Sequence, residues 1–322
     1  MNTLKLLGWF FLLETSVLTA APVTDRILLD GGGAAVYLEV LGPSKEAPVV
    51  LFLHGGPGSV AHLIMFQSTV GKRLERDFLV AYLHQRGTGK SPPVPDSEQT
   101  IANHVKDVDR VIDYLKRTYN QKQVSLVGHS WGGMLAEEYV VAHPEKVRKL
   151  VLISTTVGFR SLLEDDYEGD LKWAQSERNA KAIAELTALD SSFDTEQAFG
   201  VILGWADKAG GIAKDFDMDA FLNNHHVNQD FPNWKSQQGE VNGALIPEML
   251  KINLTDSMAR LQIPTQFVSG ALDTIVREVT MRRDYDNYRG PKSFVLLKHS
   301  HHLSFIDEPD NLTSALRTFL LN

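Results

Sequence analysis

The chain is predicted to fold as a doubly wound, mostly parallel α/β sheet with a helical insertion. Three observations carry this expectation. Continuous apolar runs recur along the chain, as strands buried on both faces require. Helical periodicity separates them, the alternation of a parallel sheet with its crossover helices. The alternation lapses once, between about Thr156 and Pro264, a span too long for a single crossover helix.

The elements follow in order. RILLD (26–30), a turn at Gly31-Gly32-Gly33 and AAVYLEVLG (34–42) read as a hairpin. VVLFLH (49–54), DFLVAYLH (77–84), VSLVGH (124–129) and KLVLIS (149–154) read as buried strands. Val105, Val108, Val111, Ile112 and Leu115 recur at helical spacing between the second and third of these. MLAEEYVVAHPEKV (134–147) is a second helical stretch. TQFVSG (265–270) and SFVLLK (293–298) complete the strands, and NLTSALRTFLL (311–321) closes the chain as a helix. The lapse contains ELTALD, QAFGVILGWADKAG, DMDAFLNNHHV and GALIPEMLKI, amphipathic pieces with few strand signals. They predict a helical cap over the site, residues 157–250, with the core formed by 22–156 and 251–322.

The first 21 residues differ from the rest. Lys5, an apolar run from Leu6 to Leu13 and small residues up to Ala20 and Ala21 have the order of a secretory signal peptide. The run is shorter than the roughly 20 apolar residues a bilayer span needs, so no stable membrane insertion is expected. Export to the periplasm or medium is the expectation. An apolar N-terminal helix or strand of a cytoplasmic protein is the competing one.

Composition narrows the function. A net charge of −8 argues against nucleic acid, which selects basic surfaces. The absence of cysteine excludes disulfides, thiolate metal sites and a cysteine nucleophile. A small molecule or short peptide is the expected partner.

GHSWG (128–132) has the G-x-S-x-G pattern. A buried-strand run precedes it and a helical run follows, the setting of a nucleophile elbow. There a sharp strand-to-helix turn projects the Ser130 hydroxyl above the sheet. A serine hydroxyl is a weak nucleophile at neutral pH and needs a base, which in turn needs an orienting acid. In this architecture acid and base follow the serine along the chain. Asp273 lies just past the strand TQFVSG, at the carboxyl end where reacting groups gather. The next strand ends at a cluster of three histidines, His299, His301 and His302. HGGPG (54–58) follows another strand, and its glycines let backbone approach a substrate. Gly56, with Gly55 as second choice, can supply one oxyanion N–H, and Trp131, after the nucleophile, the other.

HGGPG, HQRGTGKS (84–91), GHSWGG, the aspartate of SGALD and the C-terminal histidine region resemble the α/β-hydrolase fold. Within it they are most similar to the proline iminopeptidase group of serine peptidases. The resemblance implies an eight-stranded sheet, a helical cap, no cofactor and release of an N-terminal residue from short peptides. It also implies the base. In the family pattern the histidine stands seven positions before the proline that opens the last helix, and counting back from Pro309 gives His302. His301 and then His299 follow in preference, and a metal site at the cluster lacks the further ligands it needs. His84 stands where the group has aspartate. The cap has no Trp-Glu pair to bind a substrate ammonium. Glu164, Asp165, Asp166, Asp207 and Asp230 are the available carboxylates, and Phe199, Trp205, Phe216, Phe221, Phe231 and Trp234 the aromatics that fit a proline ring or an acyl chain.

Two other functions share these residues. A carboxylesterase or lactonase would use the same triad with an apolar cap. A binding protein on a hydrolase fold would turn over little.

Overall fold

The eight apolar runs become eight strands in the computed structural model, which describes residues 21–322. They are β1 (Val23–Leu29), β2 (Val36–Gly42), β3 (Val49–Leu53), β4 (Leu79–His84), β5 (Val124–His129), β6 (Val147–Ile153), β7 (Thr265–Gly270) and β8 (Lys292–Leu297). Their order in the sheet is β1-β2-β4-β3-β5-β6-β7-β8. β2 pairs antiparallel with β1 and β4, and every other pair is parallel. The export signal predicted from the N-terminal stretch lies outside the described residues. No described helix is long and apolar enough to cross a membrane.

Strand composition sets the layers. Along β3, Val49, Leu51 and Leu53 join the core on one face, and Val50 and Phe52 the core on the other. All five are buried, as both faces of a helix-covered parallel sheet require. Each such side chain contributes about 1.5–3 kcal/mol on leaving water. The helix α1 (Val60–Phe66) packs on the second face, and α2 (Ile101–Thr118) and α3 (Trp131–Ala142) on the first. α2 buries Val108, Val111, Ile112 and Leu115, and the Thr100 side chain caps it by accepting from the Asn103 N–H. α3 begins earlier than its apolar residues suggested and ends at Ala142, because Pro144 cannot continue it.

Between β6 and β7 the chain is helical: α4 (Phe159–Ser176), α5 (Ala180–Thr187), α6 (Glu196–Ala206), α7 (Met218–Asn224) and α8 (Trp234–Met249), with short turns between them. Its two ends meet, since the Phe159 N–H donates to the Ile252 carbonyl at 3.0 Å and the Leu254 N–H to Val157 at 2.7 Å. The apolar pattern did not single out α4. Its buried stripe is Phe159, Leu162, Leu163, Asp166, Asp170 and Ala174, so two carboxylates occupy positions that pattern reading reserves for hydrophobes. α9 (Glu278–Asn287) and α10 (Pro309–Leu321) complete the chain.

Candidate active site

The order in which strands are added reverses between β3 and β5, parallel neighbours in the sheet although β4 lies between them in sequence. The crevice beyond their carboxyl ends is where open α/β sheets bind ligands. HGGPG leaves β3 there and Ser130 leaves β5.

Ser130 has φ 53° and ψ −125°, a left-handed conformation that costs energy for a side-chain-bearing residue. The glycines around it permit the turn. A Cβ on Gly132 would strike the Leu53 carbonyl, one on Gly128 the Gly132 carbonyl, and one on Gly133 would lie 2.5 Å from the Thr155 side chain. The Ser130 N–H is fixed to the Ile153 carbonyl at 2.9 Å. Trp131 opens α3, where the first N–H groups have no acceptor within the helix.

The HQRG turn braces this corner. Gln85 donates to the His54 carbonyl at 2.8 Å and accepts from the Trp131 indole N–H at 2.9 Å. Arg86 binds both oxygens of Asp107 on α2, at 2.8 and 3.0 Å. A buried bidentate pair of this kind fixes geometry as well as charge. His84 is buried and neutral, its pKa lowered to about 3 by burial, and its Nδ1 accepts from the Lys90 N–H at 3.2 Å. It caps the turn by hydrogen bonding, without a charge.

β7 and β8 pair through Gly270 and Leu297, so the residues after them emerge side by side. Asp273 Oδ1 accepts from the Ile275 and Val276 N–H groups, both at 2.9 Å. Its Oδ2 lies 3.0 Å from His302 Nδ1. A carboxylate only accepts, so Nδ1 carries the proton and Nε2 is left with its lone pair. The aspartate is 3% exposed and His302 4%. The main chain of His302 is held twice. Its N–H donates to the Gly211 carbonyl at 3.0 Å, and its carbonyl accepts from His129 Nε2 at 2.9 Å. Burial, with the neighbouring His302 and His62, pushes the His129 pKa well below the usual imidazole value, so it stays neutral. His129 therefore helps to hold the His302 main chain.

The other two histidines of the cluster face elsewhere. His301 Nδ1 pairs with Asp307 at 3.2 Å, and His299 offers only its N–H, to Glu308 at 2.8 Å.

A cavity of about 440 Å³ opens over these groups. Ser130, Trp131, His302 and Gly56 all line it. The Gly56 N–H makes no hydrogen bond among the described residues. Gly55 instead packs against Ser130, where a Cβ would lie 3.1 Å from the serine Cβ. The wall is mostly apolar: Met134, Phe159, Leu162, Leu163, Phe199 and Leu203 contribute to it. Of the aromatics expected to shape the pocket, only Phe199 does so. The Trp205 indole is turned to Glu185, at 3.0 Å, and the Trp234 indole to Asn228, also at 3.0 Å. Phe216, Phe221 and Phe231 pack beside the second core.

Two of the five cap carboxylates reach the cavity, Asp166 and Asp207. Asp165 is committed to Arg283 and Thr280, Glu164 to Arg160, and Asp230 is exposed. Asp166 is 2% exposed, and its Oδ1 has no hydrogen-bond partner. It shares Arg277 with Asp170, at 3.6 and 2.6 Å. Burial raises the Asp170 pKa to about 7 and drives that of Asp166 well above the usual range, with Arg277 opposing both. Two buried carboxyl groups thus share one guanidinium. Sequence reading missed His62, which lines the cavity, and Arg277, which pairs with its Asp166. Neither sits in a motif, and only the fold brings them to the site.

The fold and this crevice define an α/β hydrolase. The family model described as "alpha/beta hydrolase fold" matches residues 48–309, and the chain belongs to that family. It is 24% identical to the probable aminopeptidase YbaC of Bacillus subtilis (strain 168) over 88% of this chain and 92% of that one. It is 25% identical to the proline iminopeptidase of Lactobacillus crispatus (strain ST1), over 89% and 95%. The esterase EaEST from Exiguobacterium antarcticum superposes with a TM-score of 0.64 at 20% identity, over 92% and 98% of the two chains.

Proposed function

We propose that this hydrolase is a serine aminopeptidase that releases N-terminal residues, proline-type, from short peptides. The observation that carries the serine chemistry is the 3.0 Å contact of His302 Nδ1 with Asp273, in the cavity that Ser130 also lines. Ser130 Oγ attacks the acyl carbonyl while His302 Nε2 takes its proton. Asp273 keeps the proton on Nδ1 and stabilises the imidazolium. The N–H groups of Gly56 and Trp131 bind the oxyanion. His302 then protonates the departing amine, and the C–N bond breaks to leave an acyl group on Ser130. Water, deprotonated by His302, releases the acid. Oxyanion donors of this kind are each worth about 3 kcal/mol of barrier.

The amine preference rests on Asp166. It lines the cavity, its Oδ1 faces Arg277 Nε at 3.6 Å without a hydrogen bond, and burial disfavours its charged form. A substrate ammonium supplies the missing positive charge there, and Asp207 adds a second carboxylate. Relatives named as aminopeptidase and proline iminopeptidase support the same reading.

A carboxylesterase or lactonase is the second reading, favoured by the largely apolar cavity wall. Prolyl and alanyl arylamides assayed beside short-chain aryl esters decide between them. Turnover of arylamides is expected, and turnover of esters alone ends the peptidase reading. Export from the cell belongs to the same proposal, and comparing the N-terminus of secreted protein with Met1 tests it.

A further inference from the structure

His62 belongs to no motif and to none of the steps above, yet it lines the cavity. It lies in the first turn of α1, directly after HGGPG, where its N–H donates to the Ser59 side chain at 3.4 Å. Its Nδ1 is enclosed and has no hydrogen-bond partner. A Cβ on Gly55 would lie 2.9 Å from that Nδ1, 2.9 Å from His129 Nδ1 and 3.1 Å from the Ser130 Cβ. The imidazole is therefore beside the nucleophile, at the oxyanion turn.

Its tautomer follows from the enclosure. A buried N–H without an acceptor is rarer and costlier than an unfilled lone pair. The lone pair therefore sits on Nδ1, and the proton on Nε2, the ring nitrogen that is not enclosed. Burial, with His302 and His54 adding to it, lowers the His62 pKa to about 3, so the ring is neutral at working pH. It offers the cavity one hydrogen-bond donor and no charge.

Gln238 is at the same turn. It lines the cavity from α8, its side chain makes no hydrogen bond among the described residues, and a Cβ on Gly58 would lie 3.3 Å from its Cα. The carboxylates lie by the acid's loop instead. Asp166 meets Arg277, and a Cβ on Gly211 would lie 3.2 Å from Asp207 Oδ1 and 2.9 Å from Ile275 Cγ1. The cavity thus has a carboxyl-bearing region by residues 275–277 and a neutral, donor-bearing region by residues 55–58.

We propose that His62 and Gln238 form a leaving-side subsite that donates hydrogen bonds to the first backbone carbonyl beyond the scissile bond. This rests on the aminopeptidase reading. In a peptide the ammonium and the leaving chain extend from opposite sides of the attacked carbonyl. An ammonium held at Asp166 places the leaving chain toward residues 55–58. Its carbonyl is an acceptor, and His62 Nε2–H and the Gln238 amide are the matching donors. The site therefore selects peptides over amides whose leaving group has no carbonyl.

The test uses the full-length enzyme, a dipeptide amide, whose second residue keeps a neutral carbonyl, and the β-naphthylamide of the same N-terminal residue. The naphthylamide has no acceptor beyond the scissile bond. The readout is the ratio of kcat/KM for the dipeptide amide to that for the naphthylamide. His62→Leu is expected to lower this ratio about tenfold, the worth of one hydrogen bond to a neutral donor. His62→Gln, which keeps an N–H near the same place, is expected to stay within about threefold of wild type. Gln238→Ala is expected to lower the ratio about threefold and carries the test if His62→Leu does not fold. An unchanged ratio in folded His62→Leu or in Gln238→Ala, or an equal fall in His62→Leu and His62→Gln, overturns the subsite. Wild type that cleaves both substrates while the variants keep its ratio ends the subsite alone. Wild type that cleaves neither ends the aminopeptidase reading and the subsite with it.

Discussion

His302 and Asp273 come from the ends of adjacent parallel strands and meet through Nδ1 and Oδ2 at 3.0 Å. The other aspartate oxygen is occupied by two N–H groups, so the carboxylate has one orientation available. Asp273→Asn is expected to lower kcat by about 10³–10⁴-fold without unfolding the protein, because the amide can stabilise the wrong imidazole tautomer. His302→Ala is expected to lower turnover at least as far. His301→Ala, which loses a ring engaged with Asp307, is expected to keep most of the wild-type rate. Steady-state rates on the preferred substrate check all three, and loss of turnover in folded His301→Ala alone would reassign the base.

Gly55 is enclosed by His62, His129 and Ser130. A methyl group there displaces the nucleophile or both imidazoles. Gly55→Ala is expected to lower kcat/KM by about a hundredfold, the scale of an ångström-sized misplacement. Kinetics together with a melting curve read this, and wild-type activity would show that the contact relaxes freely.

In the proposed function Asp166 holds the substrate cation. Asp166→Asn is expected to raise KM for substrates with a free amine by about tenfold or more, relative to the same substrates N-acetylated. An equal change in both classes would leave Asp166 a purely structural partner of Arg277.

Asp284 gives a pH signature. Burial raises its pKa from 3.8 to about 6, against the Val157 N–H that it accepts at 3.0 Å. Between these values the folded chain binds more protons than the unfolded one. Its contribution is therefore fully present below pH 3.8 and lost as pH rises through about 6. Asp284→Asn keeps an acceptor for Val157 and removes the titration. Relative to wild type it is expected to gain melting temperature at pH 8 and not at pH 4. A difference independent of pH would contradict the assigned ionisation.

The sheet was legible because strands such as VVLFLH are apolar on both faces and interrupted by turns. The residues of the proposed triad were legible because each follows a strand end: Ser130 after β5, Asp273 after β7, His302 after β8. The cavity was less so. Phe159, Leu162 and Leu163 line it, but α4 hides its stripe behind Asp166 and Asp170. Trp205 and Trp234 stood out as large aromatics and turned away, because their indole N–H groups find partners on their own helices' neighbours. His62 and Arg277 gain their roles only from contacts distant in sequence.

The central claim is that Ser130 is the nucleophile of an acyl-enzyme mechanism. Its most direct test is kcat/KM of Ser130→Ala on whichever arylamide or ester wild type cleaves. The expected result is a fall of at least about 10³-fold with an unchanged melting temperature, since only binding and the oxyanion donors remain. Activity within a few-fold of wild type in the folded variant would contradict it.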